Sequence, residues 1–361
     1  MASNRTPEVS AERAAFYGSL APHHLAPLWE VMADLVTPTP STPAVAARWR
    51  FADVRPFLLR AGELITAKEA ERRVLILENP ALPGQSAITH TLYAGLQLIL
   101  PGEVAPAHRH SQAALRFIME GDGAHTIVDG RRAEMHVGDL ILTPSWVWHS
   151  HGNDTSEPMI WLDGLDVPLV SALDASFSER ERVSGPPTGA VRSEQSRIAQ
   201  ADSAAMHGNT LRPLRRALAA SPVASPPASP FFVYPHSQWR EALQLMRRTQ
   251  ELDTHDGWRI EFTNPLDGSA VMPTMSAFCQ LVPKGHATRG VRATDGTVYV
   301  VTEGSGTATI DEQLRHLVRG DIFVVPSWSA RAFTATNDLV LFSFSDRAAQ
   351  QKLGLWREQL L

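Results

Sequence analysis

Gly138-Asp-Leu-Ile-Leu-Thr-Pro-Ser-Trp146 is matched later in the chain by Gly320-Asp-Ile-Phe-Val-Val-Pro-Ser-Trp328, an offset of 182 (320 minus 138). Each stretch reads as a turn glycine, a short apolar strand and a proline stop. A second pair, Glu120-Gly-Asp-Gly-Ala-His-Thr-Ile and Glu303-Gly-Ser-Gly-Thr-Ala-Thr-Ile, is offset by 183 (303 minus 120). A single one-residue gap aligns both pairs, so the chain carries two copies of one strand-rich unit. Around the first copy, apolar runs at 96–100, 115–119, 126–128, 140–142 and 159–162 are separated by Gly, Pro and Asp. That spacing marks an antiparallel barrel or sandwich, and the fold expected is all-β.

Working outward, the start of the chain has a helical texture. Ser10 caps one candidate helix and an amphipathic stretch opens at Leu25, before a Pro/Thr break at 37–43. A short helix is expected to stop at Gly62 and another to begin at Thr66. The Ala-, Ser- and Pro-rich stretch before Pro230 reads as a connection with little core of its own. A helix at 239–248 and a second strand block at 276–344 follow. The expected division is a helical arm at 1–85, a first barrel at 86–170, a linker at 171–232 and a second barrel at 233–361.

The composition narrows the function. With 43% hydrophobic and 20% charged residues, the 361-residue chain can bury two cores. A net charge of -5, with scattered Arg and Lys, argues against nucleic acid or an anionic membrane as partner. No apolar run reaches membrane-spanning length, and residues 1–10 lack the apolar core of a secretory signal. The single cysteine, Cys279, lies in an apolar run and reads as core packing. A cytoplasmic protein is expected.

Six of the fourteen histidines fall between His108 and His151. Residues two apart on a strand share a face, so His108 and His110 can point inward together, as can His149 and His151. Two neighbouring strands can then place His108, His110 and His149 around one metal ion. His125, His136, His23 and His24 have no such company and read as surface or strand residues. Arg116 lies six residues past His110, and on strand parity it faces the same interior. A guanidinium there suits a carboxylate ligand, since it stays charged and grips two oxygens. His151 is the candidate for hydrogen bonding beside the metal or for proton handling. Asp163, ending an apolar run, is the candidate to orient it or to meet a ring hydroxyl.

The two elements resemble the conserved motifs of the cupin superfamily, with departures: Ala114 and Leu115 stand where a glutamate is usual, and Trp146 replaces a glycine. With Arg116-Phe117, Pro144-Ser-Trp-Val-Trp-His-Ser-His-Gly-Asn153 and Trp161-Leu-Asp-Gly-Leu-Asp166, the chain resembles the gentisate 1,2-dioxygenase group of bicupins over about 49–355. That group includes enzymes for salicylate and 1-hydroxy-2-naphthoate. The resemblance implies Fe(II) on three histidines without a protein carboxylate, extradiol-type ring cleavage, and a homotetramer. It adds Arg72, Gln97 and Tyr93 as substrate-binding candidates. Three neutral ligands leave about three octahedral positions, enough for a chelating ortho-hydroxy acid and dioxygen. The expected reaction is gentisate plus O2 to maleylpyruvate. Rivals are a salicylate or 1-hydroxy-2-naphthoate dioxygenase, a non-catalytic ligand-binding bicupin, and a non-redox metalloenzyme such as an isomerase. The second copy offers Arg331 and Phe333 opposite His149 and His151. Opposite His108 and His110 it offers Gly290 and Arg292, or Val291 and Ala293, according to where the gap falls. It is expected to bind no metal.

Overall fold

Glycines and aspartates that punctuate short β-branched runs dictate hairpins, and hairpins dominate the computed structural model, which describes residues 10–180, 192–193 and 229–361. The chain separates after Ser41 into two compact units. The first carries helices α1 (Ala11–Leu20) and α2 (Leu28–Leu35). Ser10 caps α1 as expected, its hydroxyl accepting from the Arg13 amide at 3.2 Å. Arg13 and Tyr17 both bond Glu30, tying the two helices together.

The second unit, 42–361, holds the rest. Among the described residues its helices are α3 (Phe51–Leu64), α4 (Ala67–Ala70), α5 (Val167–Ala172), α6 (His236–Thr249) and α7 (Arg347–Lys352). The early strands are β1 (Ala47–Trp49), β2 (Val74–Ile76), β3 (Tyr93–Ile99), β4 (Val104–His110), β5 (Ala114–Glu120) and β6 (Ala124–Val128). Then come β7 (Arg131–Met135), β8 (Leu140–Thr143), β9 (His149–Gly152), β10 (Met159–Leu165), β11 (Ser178–Arg180), β12 (Arg192–Ser193) and β13 (Val233–Tyr234). The second copy supplies β14 (Trp258–Phe262), β15 (Ser276–Val282), β16 (Val291–Ala293), β17 (Thr297–Glu303) and β18 (Ser305–Ile310). It continues with β19 (Gln313–Val318), β20 (Ile322–Val325), β21 (Arg331–Ala335), β22 (Leu339–Ser345) and β23 (Glu358–Leu360).

Four sheets build two barrels. The first copy forms β13-β8-β5-β10-β3-β2 facing β11-β4-β9-β6-β7-β12; the second forms β1-β20-β17-β22-β15-β14 and β19-β18-β21-β16-β23. The fold is all-β: a bicupin, two double-stranded barrels with helices ahead of them. The copies exchange edges. β1, which precedes the first barrel, pairs with β20 of the second, while β13, which precedes the second, pairs with β8 of the first. Sheets meet where Phe117 stacks on Phe342, centroids 4.1 Å apart. Gly164 permits this approach, since a Cβ there would sit 2.6 Å from the Phe344 ring.

Local expectations were met unevenly. Thr66 and Glu69 form a reciprocal capping box that starts α4. Gly62 does not end its helix, because α3 runs on to Leu64. Its role is close packing: a Cβ at Gly62 would stand 3.0 Å from Leu98 Cδ2. Cys279 is buried in β15. Most of the expected connection, residues 181–191 and 194–228, lies outside the described residues. Within the described part, β11 pairs with β4, setting Ser178, Glu179 and Arg180 against His110, Arg109 and His108, while the Ser229 amide donates to the Val271 carbonyl at 3.3 Å.

Candidate metal centre and substrate pocket

A proline makes the geometry of the site. β4 and β9 pair with Ala105 opposite His151 and His108 opposite His149, three residues on one strand against two on the other. The extra residue is a bulge at Pro106-Ala107, where proline's missing N–H costs the ladder nothing. It carries His108 into direct register with His149. His110 follows two residues on, on the same face.

The three imidazoles converge. Ring centroids are 5.2 Å apart for His108–His110, 4.3 Å for His108–His149 and 4.9 Å for His110–His149. One ring nitrogen from each lies within 4.8 Å of the others, a spacing that allows a shared ion. Carbonyls fix two of the rings: Nδ1 of His110 donates to the Gln112 oxygen at 2.8 Å, and Nδ1 of His149 to the Val147 oxygen at 2.9 Å. A carbonyl only accepts, so each Nδ1 carries the proton and each Nε2 offers a lone pair. Nε2 of His149 is buried without a partner. Burial, aided by Arg72, lowers the His108 pKa to about 3; burial lowers that of His110 to about 4 and of His149 well below its ordinary value. Three neutral imidazoles with an orphaned lone pair fit a divalent cation, and among the described residues no carboxylate joins them.

Across the barrel, β5 and β10 place Arg116 opposite Asp163. Their side chains are 5% and 8% exposed, with Arg116 Nε 3.4 Å from Asp163 Oδ1. Arg116 Nη1 donates to Thr143 Oγ1 at 2.5 Å, and Trp161 Nε1 donates to Asp163 Oδ1 at 3.0 Å. Burial raises the Asp163 pKa to about 6, although Arg116 pulls the other way. Arg116 reaches this interior for a reason other than unbroken strand parity. Residues 111–113 turn the chain from one sheet into the facing sheet, so the parity count from His110 does not carry through.

His151 is 1% exposed, and neither of its ring nitrogens has a partner. It stands between His149 and Trp161, with centroids 5.9 Å and 5.3 Å away. Arg72 follows α4 and turns inward. Its Nη2 donates to the Pro106 carbonyl at 2.7 Å and lies 2.5 Å from His108 Nδ1. Burial and the nearby Arg116 charge lower its pKa to about 10. The half-buried Tyr93 hydroxyl lies over Gly95, where an added Cβ would meet it at 2.7 Å. Burial, then the Asp163 charge, raises its pKa. Gln97 is buried on β3, opposite Trp161 and two residues from Gly95, which faces Asp163. The structure thus brings His108, His110, His149, His151, Arg116, Asp163 and Arg72 to one interior, with Tyr93 and Gln97 on the same face of the adjoining strand.

Sequence reasoning missed Thr143, which holds Arg116, and Trp161, which holds Asp163. Period-two spacing was a signal for Trp161, two residues before Asp163. Trp146 and Trp148 lie away from the histidines, with the Arg109 guanidinium over both rings at 4.6 and 4.8 Å. His125 is buried at 8% exposure beside Asp154, and His136 bonds Asp122.

Two barrels, one with a three-histidine centre beside a buried guanidinium–carboxylate pair, define a bicupin enzyme of the dioxygenase type. The cupin domain model matches residues 95–166. Over 99% of both chains the sequence is 49% identical to gentisate 1,2-dioxygenase 1 of Aquipseudomonas alcaligenes. It is 38% identical to a Streptomyces gentisate 1,2-dioxygenase, covering 92% of this chain and 91% of that one. The crystal structure of salicylate 1,2-dioxygenase from Pseudoaminobacter salicylatoxidans with gentisate superposes with TM-score 0.86 at 33% identity, covering 100% of this chain and 97% of that one. The chain belongs to the gentisate 1,2-dioxygenase family of ring-cleaving bicupin enzymes.

Proposed function

We propose that the protein is an Fe(II)-dependent gentisate 1,2-dioxygenase, converting gentisate and O2 to maleylpyruvate. The observation that carries this reading is the all-imidazole centre facing Arg116 and Asp163 in one buried interior. His108, His110 and His149 hold the iron. Iron, when bound, supplies the redox coupling between an electron-rich ring and dioxygen.

The residues of the chain do the placing. Arg116, kept in position by Thr143 and Asp163, receives the substrate carboxylate with a fixed two-pronged donor. Arg72 stands on the other side of His108 and adds a second positive charge for the same group. His151, with both nitrogens unpartnered, holds or accepts the proton of the hydroxyl next to the carboxylate. Tyr93 and Asp163 bond the second, para hydroxyl, and Gln97 completes the wall. The buried interior excludes water from the ring-opening step.

The division at 1–85, 86–170, 171–232 and 233–361 is retained as our proposal for the domains. A homotetramer accounts for α2, whose Leu28, Met32 and Leu35 form one face and stay exposed in the single chain. We propose a cytoplasmic location on the ground of the single, buried cysteine, Cys279, which suits a reducing compartment. Among the described residues no helix is long and apolar enough to cross a membrane.

The test compares kcat/KM for gentisate, salicylate and 1-hydroxy-2-naphthoate with iron-loaded protein, following near-ultraviolet absorption of the ring-opened product. Gentisate should lead clearly. A higher value for either of the others would reassign the substrate and leave the ring-cleaving chemistry in place.

A further inference from the structure

The second barrel has its own version of the site. Val291 pairs with Arg331 as His108 pairs with His149. This register fixes the gap: 108 and 110 plus 183 give Val291 and Ala293, while 149 and 151 plus 182 give Arg331 and Phe333. Tyr299, at 116 plus 183, takes the place of Arg116. Where the first barrel aims lone pairs at a cation, the second aims N–H groups.

A cavity opens at this place, lined by Val291, Ala293, three arginines, Arg259, Arg331 and Arg347, and one carboxylate, Asp295. It has room at its base for about one water-sized group. The arginine side chains are 10%, 8% and 13% exposed. Their carboxylate partners use only part of each fork. Arg331 Nη2 bonds Asp256 at 3.0 Å, and Arg259 Nη1 reaches the other oxygen of Asp256 at 3.4 Å. Asp295 is bonded by Trp356 at 2.8 Å and lies 3.5 Å from Arg347 Nε, without hydrogen-bond geometry. Glu358 meets Arg347 at the rim, 3.8 Å away.

What remains is a set of donors. Arg331 Nη1, Arg259 Nε and Arg347 Nε are all buried and unpartnered. Leaving a buried charged donor unbonded is costly, so the arrangement calls for an acceptor. A water molecule has two lone pairs, so even while donating to Asp295 it accepts from two of these groups and leaves the third N–H unbonded. An anion accepts from all three, and three guanidiniums against the two carboxylates Asp256 and Asp295 leave one positive charge (3 minus 2) for it to balance.

We propose that the C-terminal barrel binds one small monovalent anion of halide size, held by Arg331, Arg259 and Arg347 at the position that corresponds to the first barrel's metal centre. The anion stabilises this barrel by linkage and takes no part in the ring chemistry.

The test uses metal-loaded enzyme in halide-free buffer. Adding chloride or bromide at constant ionic strength should raise the melting midpoint saturably, by about 3 °C or more, while sulfate should not. Crystals soaked in bromide should show one anomalous peak at about 3.3 Å from Arg331 Nη1. Ala293→Leu, which fills the cavity without removing charge, should lose both effects and keep oxygen uptake. Arg331→Met should lose the peak as well. A water in place of bromide, or a peak without a saturable rise (an adventitious ion only), would overturn the proposal. So would an equal rise with sulfate or in Ala293→Leu.

Discussion

Arg116 and Asp163 stand opposite each other on adjacent strands, both buried, 3.4 Å from Nε to Oδ1, with Thr143 accepting from Arg116 and Trp161 donating to Asp163. A guanidinium so held cannot swing to meet a ligand; the ligand must come to it. Preorganisation of this kind makes shape matter more than charge.

Arg116→Lys therefore should lower kcat/KM for gentisate by roughly 10- to 100-fold, because an ammonium keeps the charge but not the fork. Metal content should stay near the wild-type level. Steady-state kinetics with metal analysis checks this; unchanged kinetics would hand the carboxylate to Arg72.

Metal stoichiometry follows from the two barrels. Anaerobic reconstitution should give about one Fe(II) per chain, since Val291, Ala293 and Arg331 offer no ligand nitrogen lone pair where His108, His110 and His149 stand. Ala at any of these histidines should abolish tight binding. Two irons per chain, or full iron in His149→Ala, contradicts the assignment.

The proposed contact of Tyr93 with the para hydroxyl of gentisate is open to a substrate comparison. If it forms, Tyr93→Phe removes a donor to a hydroxyl that salicylate lacks. The ratio of kcat/KM for gentisate over salicylate should fall roughly 10-fold. An unchanged ratio places that hydroxyl elsewhere, with His151 and Asp163 next in line.

A pair of repeat-related aspartates sets a pH dependence of stability. Asp166 accepts from the Ala113 amide at 2.9 Å and Asp346 from the Gly296 amide at 2.9 Å. Burial raises both carboxyls to about 6. A raised carboxyl favours its neutral form in the fold, so its contribution is full below about pH 4, the unfolded value, and is lost as pH rises through about 6. Asp166→Asn removes that titration. Relative to wild type, the variant should gain roughly 1–3 kcal/mol of stability between pH 4 and pH 8, read by denaturant unfolding. A difference independent of pH would show that Asp166 is not titrating in the fold.

The sequence showed the repeat, the strand texture and the His-x-His pair because each is local: a turn glycine, a period of two, a fixed spacing. Three features were not local and stayed hidden. The bulge at Pro106 that aligns His108 with His149 depends on which residue of another strand lies opposite. The edge exchange of β1 and β13 joins residues hundreds of positions or tens of positions away, with no pattern of their own. The route of Arg116 to the histidines is the third, since the turn at 111–113 breaks the parity count and facing sheets, not one strand, bring it there. In the second barrel, only the pairing of Val291 with Arg331 decides between the two alignments that the sequence left open.

If this interior opens an aromatic ring with dioxygen, the protein must consume oxygen in step with its substrate. Iron-loaded protein in a closed, air-saturated cell should take up one O2 for each gentisate added, with uptake ceasing when gentisate is exhausted and absent in His149→Ala. A flat oxygen trace from iron-loaded protein that nonetheless binds gentisate would contradict the account, leaving a ligand-binding bicupin in place of a dioxygenase.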